Sequence, residues 1–189
     1  MKLSLITPCT RPDNLEIILR SIQDNLSGID WQWWVVNDDR FVDQRVPSRH
    51  PQMHIFRARP PEKTFGAGFL RNIALTQIED GWVYGLDDDT IIHPDLGKIL
   101  DSVDGNAACW QVLDSDGSRI RNDPTDGCSP ADTASFAYRL DIFPDLRWKH
   151  DDDDCDVKIF QELRLHPLAN IECIHEPAAY YNFLRPPTR

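Results

Sequence analysis

No stretch of this 189-residue sequence approaches the roughly 20 consecutive apolar residues that a membrane-spanning helix needs. The opening segment, MKLSLITPCTRP, has a short apolar run but neither the longer apolar core nor the small-residue cleavage site of a signal peptide, so no secretory leader is expected. Cysteine is scarce: five residues, an odd number with no CxxC pair, which argues against a disulfide framework and for a reducing cytoplasm. Basic residues are outnumbered, 20 Lys and Arg against 31 Asp and Glu, for a net charge of −11. A surface that acidic repels a phosphate backbone, so no nucleic-acid partner is expected. Internal repeats and low-complexity segments are also absent. What remains, with 41% hydrophobic and 27% charged residues, is the composition of one ordinary globular domain spanning 1–189.

The acidic charge is concentrated. Aspartates cluster at 87–89 and at 151–156, and like charges that close repel unless a cation sits among them. Around these clusters the chain alternates between two periodicities. KLSLIT (2–7) reads as a strand, and Asp13 or Asn14 caps a helix with Leu15, Ile18, Leu19 and Ile22 at helical spacing. WQWWVVN (31–37) reads as a buried strand running into Asp38, Asp39 and Arg40, and HIFRA (54–58) as a third strand. GAGFLRNIALTQI (66–78) reads as a helix, and WVYGL (82–86) as a strand ending in DDDTIIHPD. Beyond residue 100 the pattern weakens. AACWQVL and SFAYRLDIF read as strands, Asp151 to Leu165 as a helix, LANIECI as a last strand, and EPAAYYNFLRPPTR as a surface tail.

Strand–helix alternation predicts an α/β three-layer sandwich on a mostly parallel mixed sheet. In such sheets ligands sit outside the carboxyl ends of the strands, where Thr7–Pro8, Asn37–Asp39 and Asp87–Asp89 are expected to meet. Hard divalent ions take one or two carboxylates plus substrate phosphates, and residues i and i+2 of a strand share a face, so Asp87 and Asp89 suit a Mg²⁺ or Mn²⁺ ion. An acidic turn before His93–Pro94 is the plainer account of the same run. In HDDDDCDVKIFQEL, helix capping explains one or two aspartates. Four in a row followed by Asp156 exceed that need, and a general base is a carboxylate or imidazole at the acceptor hydroxyl.

Taken together and in order, LSLITPCTRPDNLEIILRSI, WWVVNDD, GAGFLRNIAL, WVYGLDDDTIIHPD and DDCDVKIF resemble the family-2 glycosyltransferases of the GT-A fold. The match covers about 1–100 well and 150–165 moderately; 105–145 is unmatched. The resemblance implies a nucleotide-sugar-binding half at 1–100 and an acceptor and catalytic-base half at 101–189. It places Thr7, Pro8 and Arg11 at the nucleotide, Asp38, with Asp39 beside it, at the base and ribose, and Arg71 and Asn72 on the diphosphate side. Gly66 and Gly68 would let a loop backbone approach the donor. Asp87, Asp88 and Asp89 supply the Asp-x-Asp motif, Asp154 with Asp153 the acidic base pair, and His175 a third metal ligand. Trp148 would stack on an acceptor sugar, although a tryptophan is as readily a core residue. One departure stands out: where the family commonly reads Asp-Asp-Gly-Ser, this chain has Asn37–Asp38–Asp39–Arg40.

The activity so implied is metal-dependent, inverting transfer of a sugar from a nucleoside diphosphate to a hydroxyl acceptor. The cofactor is Mn²⁺ or Mg²⁺, and the donor is a UDP-sugar in the first instance and a GDP-sugar in the second. A glycan or other hydroxyl compound receives the sugar, and so small an acceptor half leaves room for a membrane-associated acceptor. A nucleotidyltransferase would open with a Gly-rich loop, and TPCTRPDN has no glycine. A non-catalytic cation- or carbohydrate-binding domain is the other alternative.

Overall fold

The computed structural model describes residues 1–42, 46–64, 66–117, 120–121 (backbone), 132–149 and 154–185. Its elements are β1 (Lys2–Cys9), α1 (Leu15–Asn25), β2 (Asp30–Asp38), β3 (Met53–Ala58), α2 (Gly66–Leu75), β4 (Trp82–Gly85), β5 (Ile91–Ile92), α3 (Leu96–Ser102), β6 (Ala107–Asp114), β7 (Ile120–Arg121), β8 (Phe136–Arg139), α4 (Cys155–Leu165) and β9 (Ile171–Tyr181).

The strands form one mixed sheet in the order β3-β2-β1-β4-β8-β6-β9-β5, with β7 on β6. The first four lie parallel, β1 between β2 and β4 and β3 outside β2. This parallel block is covered on both faces, which is why β1 is buried from Leu3 to Cys9 and reads as a continuous apolar run. Leu3, Leu5, Trp33 and Val35 face α1 and α3. Ile6, Val36 and Val83 face α2 and α4. The result is the three-layer sandwich read from the sequence.

Direction changes at β8, which pairs antiparallel with both β4 and β6. Because β1, β2 and β4 run the same way, their carboxyl ends open on one edge, and the chain leaves each end into a polar loop.

The second half departs from the sequence reading in several places. SFAYRLDIF yields only four strand residues before a turn, since Arg139 closes that turn by accepting from Ile142 and Phe143. The last strand is longer than LANIECI. It runs to Tyr181, pairs with β6 and β5, and buries Ala178 and Ala179. Much of the presumed surface tail is therefore sheet, hidden from the sequence by the mixed residues of IECIHEP. Cys173 is disulfide-bonded, a bond that the argument against a disulfide framework did not foresee, while Cys9, Cys109 and Cys155 are free and buried. No helix among the described residues is long and apolar enough to cross a membrane.

Candidate active site

The carboxyl ends of β1, β2 and β4, the start of α2, the first turn of α4 and the end of β9 enclose a cleft of about 560 Å³. That size falls within the usual range for small-ligand sites. Its wall is built of paired charges.

At the end of β4 the three aspartates divide their work. Asp88 turns inward and holds the loop after β1: its Oδ2 accepts from the Thr10 amide at 2.6 Å, the Thr10 hydroxyl at 2.9 Å and the Arg11 amide at 2.8 Å. The Arg11 guanidinium binds its other oxygen. Asp87, half-buried, accepts from Arg71 Nη2 at 2.6 Å. Asp89 is nearly inaccessible, and its Oδ2 accepts from Arg11 Nη1 at 3.1 Å and from Arg185 Nε at 2.7 Å.

Arg71 joins the two acidic patches. Fully buried in the middle of α2, it gives Nη2 to Asp87 and Nη1 to Asp156 at 2.7 Å, and lies over the Trp148 ring. Burial by itself would favour the neutral guanidine, but the charges of Asp156 and Asp87 outweigh it and hold Arg71 firmly protonated. Asp156 Oδ1 also accepts from the Thr133 hydroxyl and from Trp148 Nε1 at 3.1 Å. Burial pushes the Asp87 carboxyl above its ordinary value, with Asp156 and Asp89 adding to the shift and Arg71 opposing it. Asp132, on the same wall, is raised to about 7, first by burial and then by the Asp87 charge.

At the other end of the cleft Asp38 is already paired. Arg40 reaches it through its backbone N–H at 2.9 Å, Nε at 3.0 Å and Nη2 at 2.7 Å. The guanidinium lies 5.5 Å from the ring centre of Phe41, which is 65% exposed. A Cβ on Gly66 would run into that guanidinium, so the glycine at the start of α2 makes room for the Arg40–Asp38 pair.

The cleft therefore gathers Pro8, Arg11, Asp38, Gly66, Arg71, Asp87, Asp88 and Asp89 from the residues singled out by sequence. Others lie elsewhere. Thr7 is buried and accepts from Trp33 Nε1. Asp39 pairs with Arg57 outside the wall. Asn72 braces the backbone of Trp148 through both side-chain atoms. Trp148 itself is a core residue with no face open to a sugar, because its indole is buried against Arg71 and Tyr138. His175 is exposed and lines a different depression beside α3, so it is not a third ligand in this arrangement. Asp154 is exposed at the N-cap of α4 and is not part of the wall; Asp153 lies outside the described residues.

Wall residues that escaped the sequence reading of the site include Arg40, Phe41, Asp132, Asp156 as a wall residue, and Arg185. Asp156 carried a signal, being the aspartate left over once capping was satisfied. Asp132 lies in the unmatched segment and carried none.

Two oxygen-donor carboxylates, Asp87 and Asp89, line the cleft, a set that fits a Mg²⁺ or Mn²⁺ ion whose remaining positions would go to phosphate oxygens and water. Among the described residues no three His, Cys, Asp or Glu side chains converge into a protein-only site.

No protein-family model and no curated protein matches the sequence. Solved structures do match. Residues 1–349 of S. aureus TarS in complex with UDP-GlcNAc superpose with a TM-score of 0.66 at 17% identity, over 95% of this chain and 58% of that one. The Pyrobaculum calidifontis mannosyltransferase PcManGT, in complex with GDP-Man and Mn²⁺, gives 0.62 at 15% identity over 93% and 54%. This chain thus spans little more than half the length of the structures it resembles, and it has their fold, the GT-A sandwich expected from its sequence.

Proposed function

We propose that this chain is the transferase domain of an inverting, metal-dependent glycosyltransferase that moves a sugar from a nucleoside diphosphate to an acceptor hydroxyl. The reading is carried by one observation: the acidic run at the end of β4 and the acidic start of α4 belong to a single cleft, with Arg71 bonded to both.

Each residue then has a physical task. The Asp38–Arg40 pair and the Phe41 face form the nucleotide end, where a UDP-sugar is expected first and a GDP-sugar second. Arg11 stands at the carboxyl end of β1 as a cation for the diphosphate, and guanidinium forks suit phosphate oxygens. Asp87 and Asp89 would hold a Mn²⁺ or Mg²⁺ ion, which would supply positive charge against the departing nucleoside diphosphate. Arg71, buried and fixed between two carboxylates, keeps Asp87 aimed into the cleft.

The base is taken from the second patch. Asp156 commits Oδ1 to four donors, from Arg71, Thr133, Trp148 and the Cys155 thiol, and acts as a fixture of the wall. Asp154, two residues earlier and open to solvent, takes the proton of an acceptor arriving from that side; such contacts often tighten only when substrate is bound. A single attack from the face opposite the leaving group inverts the anomeric carbon.

Release of UDP from UDP-GlcNAc or of GDP from GDP-Man in the presence of Mn²⁺ tests the reaction class, because a binding module releases neither. Asp154→Asn is expected to lower turnover by about 100-fold or more, the usual contribution of a general base. Nucleoside-diphosphate affinity measured by calorimetry stays near that of the unmodified protein. Near-normal turnover in that variant would remove Asp154 from the mechanism. EDTA should abolish tight nucleotide binding; an affinity indifferent to chelation argues against the metal.

A further inference from the structure

Asp89 is served by two arginines that differ in how they are held. Arg11 has a second anchor, because the same guanidinium binds Asp88 and its backbone N–H is fixed there as well. Among the described residues Arg185 has no such second anchor: its side chain bonds Asp89 through Nε at 2.7 Å and is otherwise half exposed on the cleft wall.

The segment that delivers Arg185 is docked on the metal loop itself. The Leu184 N–H donates to the Asp89 carbonyl at 2.9 Å, and the Arg185 N–H to the Asn182 carbonyl at 3.0 Å. Asn182 lies in the left-handed region at φ 52°, the bend that sends residues 183–185 back from the end of β9. β9 in turn is paired to β5 at Ile91–Tyr180, two residues beyond Asp89.

Asp89 Oδ2 has two lone-pair directions, and two N–H donors point at it. An ion coordinated through this oxygen would sit about 2 Å from it, in the space of a guanidinium of like charge. We infer that Arg185 is a positioning residue that serves as an internal counter-cation for Asp89 and is released from it when a divalent ion binds. Arg11 stays, held by Asp88. The freed Arg185 fork remains on the wall, tethered by the Leu184–Asp89 backbone bond, and turns to the diphosphate. Ion and arginine thus compete for Asp89 when the cleft holds no nucleotide, and cooperate once a diphosphate lies between them.

This inference rests on the reading of Asp89 as a metal ligand, and the test separates the two. Mn²⁺ binding to the full chain, without nucleotide, is followed by the electron paramagnetic resonance signal of the free ion for the unmodified protein, Arg185→Gln and Arg185→Lys. Far-UV circular dichroism confirms that each is folded. Arg185→Gln is expected to bind Mn²⁺ about fivefold more tightly or better, the lower end of ordinary coupling between sites. Arg185→Lys, which keeps the charge, stays near the unmodified protein. With saturating Mn²⁺, Arg185→Gln binds UDP or GDP more weakly. A residue that merely supports the loop would lose Mn²⁺ affinity when replaced, not gain it. Equal or weaker Mn²⁺ binding by Arg185→Gln overturns the competition and leaves the metal site standing. Absence of Mn²⁺ binding in all three proteins overturns both.

Discussion

The two acidic patches are built on opposite principles. At the end of β4 three consecutive carboxylates are each held by named donors: Asp87 by Arg71, Asp88 by Thr10 and Arg11, Asp89 by Arg11 and Arg185. At the start of α4 the helical turn separates Asp156, locked inside by Arg71, Thr133 and Trp148, from Asp154, which lies exposed and makes no side-chain capping bond. A strand end, whose neighbours in the sheet are fixed, can afford to use every member of a run. A helix start uses one member for structure and leaves another at the surface. The strand-end run should therefore be intolerant of change in stability, and the exposed end of the helical run in turnover only.

The largest effect is expected where the patches meet. Arg71→Met removes the buried cation between Asp87 and Asp156 and leaves both uncompensated, a loss of about 3–5 kcal/mol measured by urea denaturation. Asp88→Ala strands the Thr10 and Arg11 amides and should cost about 2 kcal/mol or more by the same measurement.

A subtler break comes from pH. Asp132 sits at about 7 in the fold against 3.8 unperturbed, because ionising it means placing a charge in a buried site beside Asp87. Between those values the unfolded chain has released its proton and the folded chain retains it, so stability falls as pH rises from about 4 to about 7. Asp132→Asn should flatten that decline in denaturation curves recorded across the window. The smallest effect sharpens the contrast: Asp154→Ala should shift stability by about 1 kcal/mol or less, the scale of an exposed charge at a helix start, while turnover collapses.

Legibility followed the periodicities. The first hundred residues declared their strands and helices because a doubly covered parallel strand is a plain apolar run and an amphipathic helix repeats its stripe: Leu15, Ile18, Leu19 and Ile22 are all buried, as spaced. β9 was under-read because IECIHEP mixes exposed and half-buried positions while its hydrogen bonds, invisible in the sequence, carry it to Tyr181. Within the site, the convergence of strand ends in this topology pointed to Asp38, Asp87, Asp88 and Asp89, and the family resemblance to Arg11 and Arg71. Arg185 and Asp132 could not be found that way. One arrives through a bend after an under-read strand, and the other comes from a segment with no pattern to match. Trp148 was ambiguous from composition, and burial decides it.

β8 lies between β4 and β6, antiparallel to both. The strand that carries the aspartate run thus borrows its neighbour from residues some fifty positions later in the chain. A fragment ending near residue 100 would present β4 as a bare row of amides and carbonyls, the kind of border that recruits other chains and precipitates. Residues 1–100 and 101–189 are interleaved rather than joined end to end, so dissecting or swapping either in a chimera calls for carrying β8 along.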